Sequence, residues 1–326
     1  MAESTIKVEK VSKRFSQGII RKRLFLAVNE VSLQINKNEV FGLVGESGSG
    51  KTTLLKIIFA LLEPTRGRVI FKGKEITGKN KIDIKFFRQR AQIVFQDPYA
   101  SLNPRKTVKK TLYGAAGMIF KTKAEQSDKV KETMELVGLS PWNRYLWRFP
   151  HELSGGERQR VGIARALVAG ANFIGADEPV SNLDVSIRAL ILNLFRELQS
   201  KLGLTMILVS HDLAIVRSLS DTTAVMYCGN IVEMAKGDEI FTHPIHPYTQ
   251  LLIDSCLLPN PSRERRRQPM IDIDIDVDTN SILPHGEQTR GCGFYSRCRR
   301  REPACLDYQT KLEAVDTDHA VACQLV

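Results

Sequence analysis

Eight consecutive residues restrict this chain more than any other stretch: Gly45-Glu46-Ser47-Gly48-Ser49-Gly50-Lys51-Thr52. Glycine stands first and sixth, and lysine and threonine follow the second of these. The residues just before, Val40-Phe41-Gly42-Leu43-Val44, form the continuous apolar run of a strand buried on both faces. From residue 52 to 62 the apolar residues recur at helical spacing, and Pro64 and Gly67 close that helix. Strand, glycine turn and helix N-terminus together make a phosphate cradle. The glycines let successive N–H groups curl into a nest, and the helix dipole favours an anion there. Lys51 then sets a cation on the β- and γ-phosphates, and the Thr52 hydroxyl is placed to ligate magnesium.

The rest of the chain agrees with such a core. Residues 5–36 alternate apolar and polar, which predicts antiparallel strands with one wet face. Beyond the loop, strands are expected at residues 68–71, 93–95, 172–176, 204–210, 223–227 and 230–234. Helices are expected at 123–137, 153–169, 185–202 and 213–218. Strands alternating with helices mean an α/β core with a mostly parallel sheet. The turn-rich and then helical texture of residues 97–150 breaks that alternation, as an inserted helical subdomain would. Residues 259–290 read as a linker. They hold a basic run (Arg263, Arg265, Arg266, Arg267) and an alternating Ile271-Asp272-Ile273-Asp274-Ile275-Asp276-Val277-Asp278 segment. That segment suits an exposed edge strand or a tether better than a cation site, because its carboxylates form a line and not a cage. No stretch approaches the roughly 20 apolar residues of a membrane span, and the first residues lack the apolar core of a secretory signal. The net charge of +11 fits a solvated lysine-rich surface, a nearby anionic membrane or nucleic acid, and does not separate them.

A second group of residues supplies chemistry. The apolar run at 172–176 ends in Asp177-Glu178, placing one acid to hold magnesium and the next to orient or deprotonate an attacking water. Ahead of it lies Leu153-Ser154-Gly155-Gly156-Glu157-Arg158-Gln159-Arg160. A capping serine and two glycines at a helix start form a second anion site. A chain needs two such sites only if one serves a neighbour's nucleotide. With this motif the chain resembles the ABC ATPase family.

The resemblance implies a RecA-like P-loop core (residues 1–240) carrying an antiparallel β subdomain and an inserted α-helical subdomain at about 97–165. It implies ATP and Mg2+ as ligands and a head-to-tail dimer with a second, homologous ATPase subunit. Each nucleotide would lie between one chain's Gly45, Glu46, Ser47, Gly48, Ser49, Gly50, Lys51, Thr52 and Thr53 and the partner's Ser154, Gly155, Gly156, Glu157 and Asp184. Gln96 resembles the glutamine that ligates magnesium and senses the transport partner, and His211 the switch histidine on the γ-phosphate. Glu178, His211 and Gln96 are thus the expected catalytic set, with Thr52, Gln96 and Asp177 on magnesium. Phe15 sits where an aromatic residue stacks on adenine; Phe25 is a weaker rival. Two positions depart from the family pattern: Gly175 inside the strand before the acids, and Asn182 in the Ser181-Asn182-Leu183-Asp184 loop.

Three further stretches narrow the resemblance. Gln96-Asp97-Pro98-Tyr99-Ala100-Ser101-Leu102-Asn103-Pro104, Arg148-Phe149-Pro150-His151-Glu152 and His243-Pro244-Ile245-His246-Pro247-Tyr248-Thr249 are similar to the ATPase subunits of oligopeptide and dipeptide importers. That likeness implies two transmembrane permease subunits, an extracytoplasmic binding protein acting indirectly, and a peripheral position on the cytoplasmic face of the cell membrane. The longer segment at 16–26 resembles the second of the two ATPases such systems encode. Related importers carry oligosaccharides or nickel, which an ATPase sequence does not distinguish. A nucleic-acid-associated ABC protein fits less well, since those often carry two ATPase units or a long coiled-coil insertion, and no nucleic-acid partner is expected. The extension from 241 to 326 ends in Cys292, Cys298, Cys305 and Cys323. In this family such cysteines carry a 4Fe–4S cluster in some members. Four thiolates suit that cluster or a zinc ion, but no two lie two to four residues apart, as zinc pairs usually do. Arg290, Arg297, Arg299, Arg300 and Arg301 are expected to lower the thiol pKa values and offset the cluster's charge.

Overall fold

Alternation builds the first layer. The computed structural model describes residues 4–17, 23–78, 81–97, 101–255 and 291–326. Strands β1 (Ser4–Gln17) and β2 (Arg23–Asn36) pair antiparallel, with Val8 opposite Leu33. Their inward residues Ile6, Val8, Val31, Leu33 and Ile35 are buried. β4 (Arg66–Phe71) and β5 (Lys74–Glu75) extend this sheet in the order β2-β1-β4-β5.

The second sheet is parallel at its centre because its strands are apolar on both faces. β3 (Val40–Val44), β7 (Phe173–Asp177), β8 (Thr205–Ser210) and β9 (Thr222–Tyr227) are buried at every position. β3 lies between β8 and β9, and β7 lies between β8 and β6 (Ala91–Val94), all in parallel. β10 (Asn230–Lys236), β12 (His319–Val321) and β11 (Glu313–Asp316) continue the far edge antiparallel. The two faces bury different clusters. Phe41, Leu43, Phe173, Ile207 and Val209 face the antiparallel layer and α1 (Lys51–Ile58), while Val40, Val44, Ile174, Met206 and Leu208 face the other helices. Period two along each strand produces that division.

Between β6 and β7 the chain makes an all-helical excursion. It runs through α3 (Val108–Ala116), α4 (Lys123–Leu136), the short α5 (Asn143–Leu146) and α6 (Gly155–Val168). α4 starts on a capping box, in which Thr122 Oγ1 accepts from the Glu125 N–H and the Glu125 carboxylate accepts from the Thr122 N–H. α2 (Lys81–Arg90) precedes β6. α7 (Val185–Leu202) and α8 (Leu213–Leu219) flank β8, and α9 (Glu239–Thr242) and α10 (Pro247–Ser255) follow β10. No helix among the described residues is long and apolar enough to cross a membrane.

The last residues return to the core sheet. The fully buried Glu233 on β10 accepts N–H bonds from Ile245 (2.8 Å) and His246 (3.0 Å), and its Oε1 lies 2.7 Å from His319 Nε2 on β12. A buried carboxylate without such partners would be costly. Here it ties both flanks of the extension to one strand. The basic run at 263–267, the alternating 271–278 segment, Cys256, Arg290 and residues 98–100 lie outside the described residues.

Candidate nucleotide site

The loop between β3 and α1 closes over its own lysine. Lys51 Nζ donates to the carbonyls of Gly45 (2.7 Å) and Glu46 (2.8 Å) and is buried. Burial lowers its pKa, opposed by Glu178, Asp177 and Glu46. Gly45 has φ +150°, and a Cβ there would lie 2.1 Å from the Met226 carbonyl oxygen; at Gly50, with φ +107°, it would lie 2.2 Å from that of Ala27. No other residue type fits such close backbone approach. Ser47 and Gly48 form the exposed crest, Ser49 is buried, and Thr53 lies half-buried in the first turn of α1.

Beside the loop, Thr52 Oγ1 donates to Asp177 Oδ1 at 3.1 Å. Asp177 ends β7 and is buried, and that burial raises its pKa. A buried carboxylate with one hydroxyl partner next to a phosphate cradle has the chemistry of a magnesium ligand set. The residues therefore fit the ion that the sequence implied. Glu178 follows in the left-handed region, at φ 46°, with its N–H donated to Val209 O. Its two carboxylate oxygens are held from two sides. Gln96 Nε2 donates to Oε2 at 3.0 Å, and His211 Nδ1 lies 3.0 Å from Oε1. Strand ends of β6, β7 and β8 thus bring Gln96, Asp177, Glu178 and His211 to the mouth of the phosphate loop, at the carboxyl edge of the parallel sheet.

The helix start at Ser154 is a second feature. Ser154 Oγ accepts from the Glu157 N–H (3.3 Å), and Glu157 Oε2 accepts from the Ser154 N–H (2.7 Å). Gly155 and Gly156 have a packing reason as well: a Cβ would come 3.0 Å from Leu183 and 2.6 Å from Ile187. Asp184 holds the N-cap position of α7 with no side-chain capping bond. Phe15 lies on β1 opposite Phe25, 38% exposed, with the Lys13 ammonium 5.3 Å from its ring centroid. Asn182 is exposed in the loop before α7. Gly175 has a structural explanation. A Cβ there would lie 2.7 Å from the Phe59 ring, which stacks on Phe173 at 4.6 Å; the missing side chain is replaced by an aromatic one.

Two residues at this site were not foreseen from the sequence. The Glu46 N–H donates to Tyr248 Oη at 2.9 Å, and the Glu46 carboxylate receives both ends of the Arg297 guanidinium at 2.9 Å each. Both partners come from beyond residue 241 and about 200 or more positions away, so no spacing pattern could reveal them. The arginines also act differently from expectation. Arg297 is committed to Glu46, and burial pushes the Cys292 and Cys323 thiols up, with Arg300 only partly opposing this at Cys323. Cys292, Cys298, Cys305 and Cys323 do line one cavity, together with His246 and Tyr308. That cavity holds about 20 Å3, enough for one water. Among the described residues no group of three or more His, Cys, Asp or Glu side chains is arranged to hold a metal ion. The expected 4Fe–4S cluster thus finds its donor set but neither the room nor a ready metal-binding arrangement.

Comparison with known proteins extends these observations. Residues 28–181 match the ABC transporter family, and residues 232–305 match the oligopeptide/dipeptide transporter C-terminal region. The oligopeptide transport ATP-binding protein OppF of Streptococcus pyogenes is 45% identical over 273 residues, 82% of this chain and 87% of that one. The dipeptide transport ATP-binding protein DppF of Lactococcus lactis is 43% identical over 272 residues (82% and 86%). The oligopeptide transport ATP-binding protein AppF of Bacillus subtilis is 38% identical over 331 residues (99% and 98%). Among solved structures, the dimeric ATP-binding cassette MJ0796 bound to ADP and Pi superposes with a TM-score of 0.63. It is 28% identical, covering 71% of this chain and 98% of its own. CbiO1 of Clostridium perfringens, part of the ABC transporter complex cbiONQ, gives 0.65 at 29% identity, covering 74% and 92%. The likeness runs through the C-terminal region as well as the nucleotide core, so the chain belongs to the ABC transporter family as an ATP-hydrolysing subunit of the oligopeptide/dipeptide type.

Proposed function

We propose that this chain powers the import of di- or oligopeptides from the cytoplasmic face of the cell membrane. It would act as one half of a head-to-tail ATPase dimer beneath two permease subunits. An extracytoplasmic binding protein would deliver the cargo. The relatives named for peptide transport support the substrate class, and the dimeric cassette supports the pairing. The observation that carries the chemistry is the Glu178 carboxylate held between Gln96 and His211, next to the Thr52–Asp177 pair.

On this reading the loop amides and Lys51 hold the β- and γ-phosphates, Phe15 offers a ring face to adenine, and Thr52, Asp177 and Gln96 would hold Mg2+. Magnesium supplies charge neutralisation at the phosphates. Glu178 aligns the attacking water and accepts its proton, and His211 moves from the Glu178 carboxylate to the γ-phosphate as the dimer closes. Ser154, Gly155, Gly156, Glu157 and Asp184 serve the nucleotide of the partner chain. The helical excursion between β6 and β7 transmits closure to the permeases. Cys292, Cys298, Cys305 and Cys323 are the thiols that would hold a 4Fe–4S cluster, the group the family resemblance implies, although the cavity they line leaves no room for one as it stands. Iron and sulfide analysis of anaerobically purified protein tests that part: four of each per chain supports it, and zinc or no metal removes it.

Transport itself is tested in cells lacking this chain. Uptake of a labelled tripeptide is expected to fall, to return with the wild-type chain and to stay low with Glu178→Gln. Uptake that never depended on the chain would contradict the substrate class.

A further inference from the structure

The phosphate loop carries a negative charge at its second position. A carboxylate beside a triphosphate is unfavourable, because like charges within a few ångströms repel. In this structure Glu46 does not face the cradle freely. Its carboxylate is held in a fork–fork pair by Arg297, with both N–O distances 2.9 Å. Such bidentate geometry is the strongest form of this ion pair and fixes direction as well as distance.

The other end of the clamp is also well fixed. Arg297 closes a short turn whose backbone is tied to two of the lobe's cysteines. Arg297 N–H donates to Phe294 O (3.1 Å), Tyr295 N–H to Cys292 O (3.0 Å), and Cys292 N–H to Cys305 O (2.8 Å). Phe294 is buried and meets the rings of Tyr227 and Tyr248 edge-on, with centroids at 5.3 and 5.5 Å. Tyr248 is fully buried, and its hydroxyl accepts the Glu46 N–H. Two independent grips, one on the backbone and one on the side chain, thus reach a single loop residue from the C-terminal extension.

We propose that Arg297 is a positioning residue for nucleotide binding: it neutralises Glu46 and turns it away from the phosphates, so that the cysteine lobe and the ATP site are energetically linked. The linkage runs both ways, since whatever the ordered lobe contributes to ATP affinity, ATP returns to the ordering of the lobe. The inference rests on the ATP site and not on the identity of any metal.

The test uses the full-length chain and ATP with magnesium, reading affinity by calorimetry and the steady-state kinetics of phosphate release. Wild type is the reference, and its turnover checks the ATPase reading separately. Arg297→Ala is expected to bind ATP about 3- to 10-fold more weakly, the range for a partly exposed but bidentate pair. KM rises by a similar factor and kcat stays within about twofold, because the effect is on binding. Adding Glu46→Gln to Arg297→Ala is expected to recover most of the lost affinity, since the uncovered charge is then gone. A purely structural role for Arg297 would not be rescued that way. Lys311→Ala, which removes an exposed charge elsewhere in the lobe, controls for net charge and is expected to bind as wild type. If Arg297→Ala loses its fold by circular dichroism, Arg297→Lys takes its place with a smaller loss, again relieved by Glu46→Gln. Wild-type affinity in Arg297→Ala, or a loss that Glu46→Gln does not relieve in a folded variant, would overturn the proposal.

Discussion

The ATP site and the cysteine lobe touch at Glu46, yet their residues come together in different ways. The site gathers side chains from the ends of adjacent parallel strands, so a strand register brings Gln96, Asp177, Glu178 and His211 to one edge. Among its described residues the lobe has little regular structure beyond the short strands β11 and β12. Apart from the short pairing of β12 with β10, it is held by a few specific contacts: Glu233 to His319, Phe294 against two tyrosines, and Arg297 to Glu46. A site built on a sheet inherits rigidity from many backbone bonds. A lobe held by single contacts depends on each of them, and each can be removed one at a time.

Substitutions in the two regions can sharpen or break that contrast. Glu178→Gln should show the largest effect, about 10²- to 10⁴-fold lower turnover with ATP affinity kept, since on the proposed mechanism only general-base help is removed. Phosphate release under saturating ATP checks it. Lys51→Ala should weaken nucleotide binding by about 1.5–3 kcal/mol, the worth of hydrogen bonds from a charged donor, read by calorimetry. Gly175→Val should overpack the sheet against Phe59 and lower stability by about 1–3 kcal/mol, seen as a lower Tm. Tyr248→Phe removes one acceptor and should weaken ATP binding by about 0.5–1.5 kcal/mol. If it matched Lys51→Ala, the C-terminal extension that carries Tyr248 would be as much a part of the site as the loop is, and the contrast would fall.

What could be read in the chain follows the same division. The buried strands showed as apolar runs, and the phosphate loop and the acids after β7 showed as local motifs. The helix at Ser154 begins two residues later than its apolar pattern suggested, because Ser154 caps rather than joins it. α2 and α3 were not foreseen. α2 is strongly charged and shows no clear stripe, while α3 has one (Val108, Leu112, Ala115 and Ala116) that is short and follows a turn-rich stretch. β11 and β12 also escaped notice, being three or four residues long and paired to each other and to a strand about 80 positions earlier. Arg297 looked like one of five arginines around the cysteines. Only its place opposite Glu46 separates it from the others, and that is a property of the folded chain.

The most direct test of the ATPase account is the nucleotide that stays on the protein. Glu178→Gln and wild type would each be incubated with ATP and magnesium, passed through a desalting column and denatured, and the released nucleotide identified. The account predicts intact ATP on Glu178→Gln, and ADP or little nucleotide on wild type, because on the proposed mechanism Glu178 acts on the water and not on binding. ADP on Glu178→Gln, formed as fast as on wild type, would contradict it.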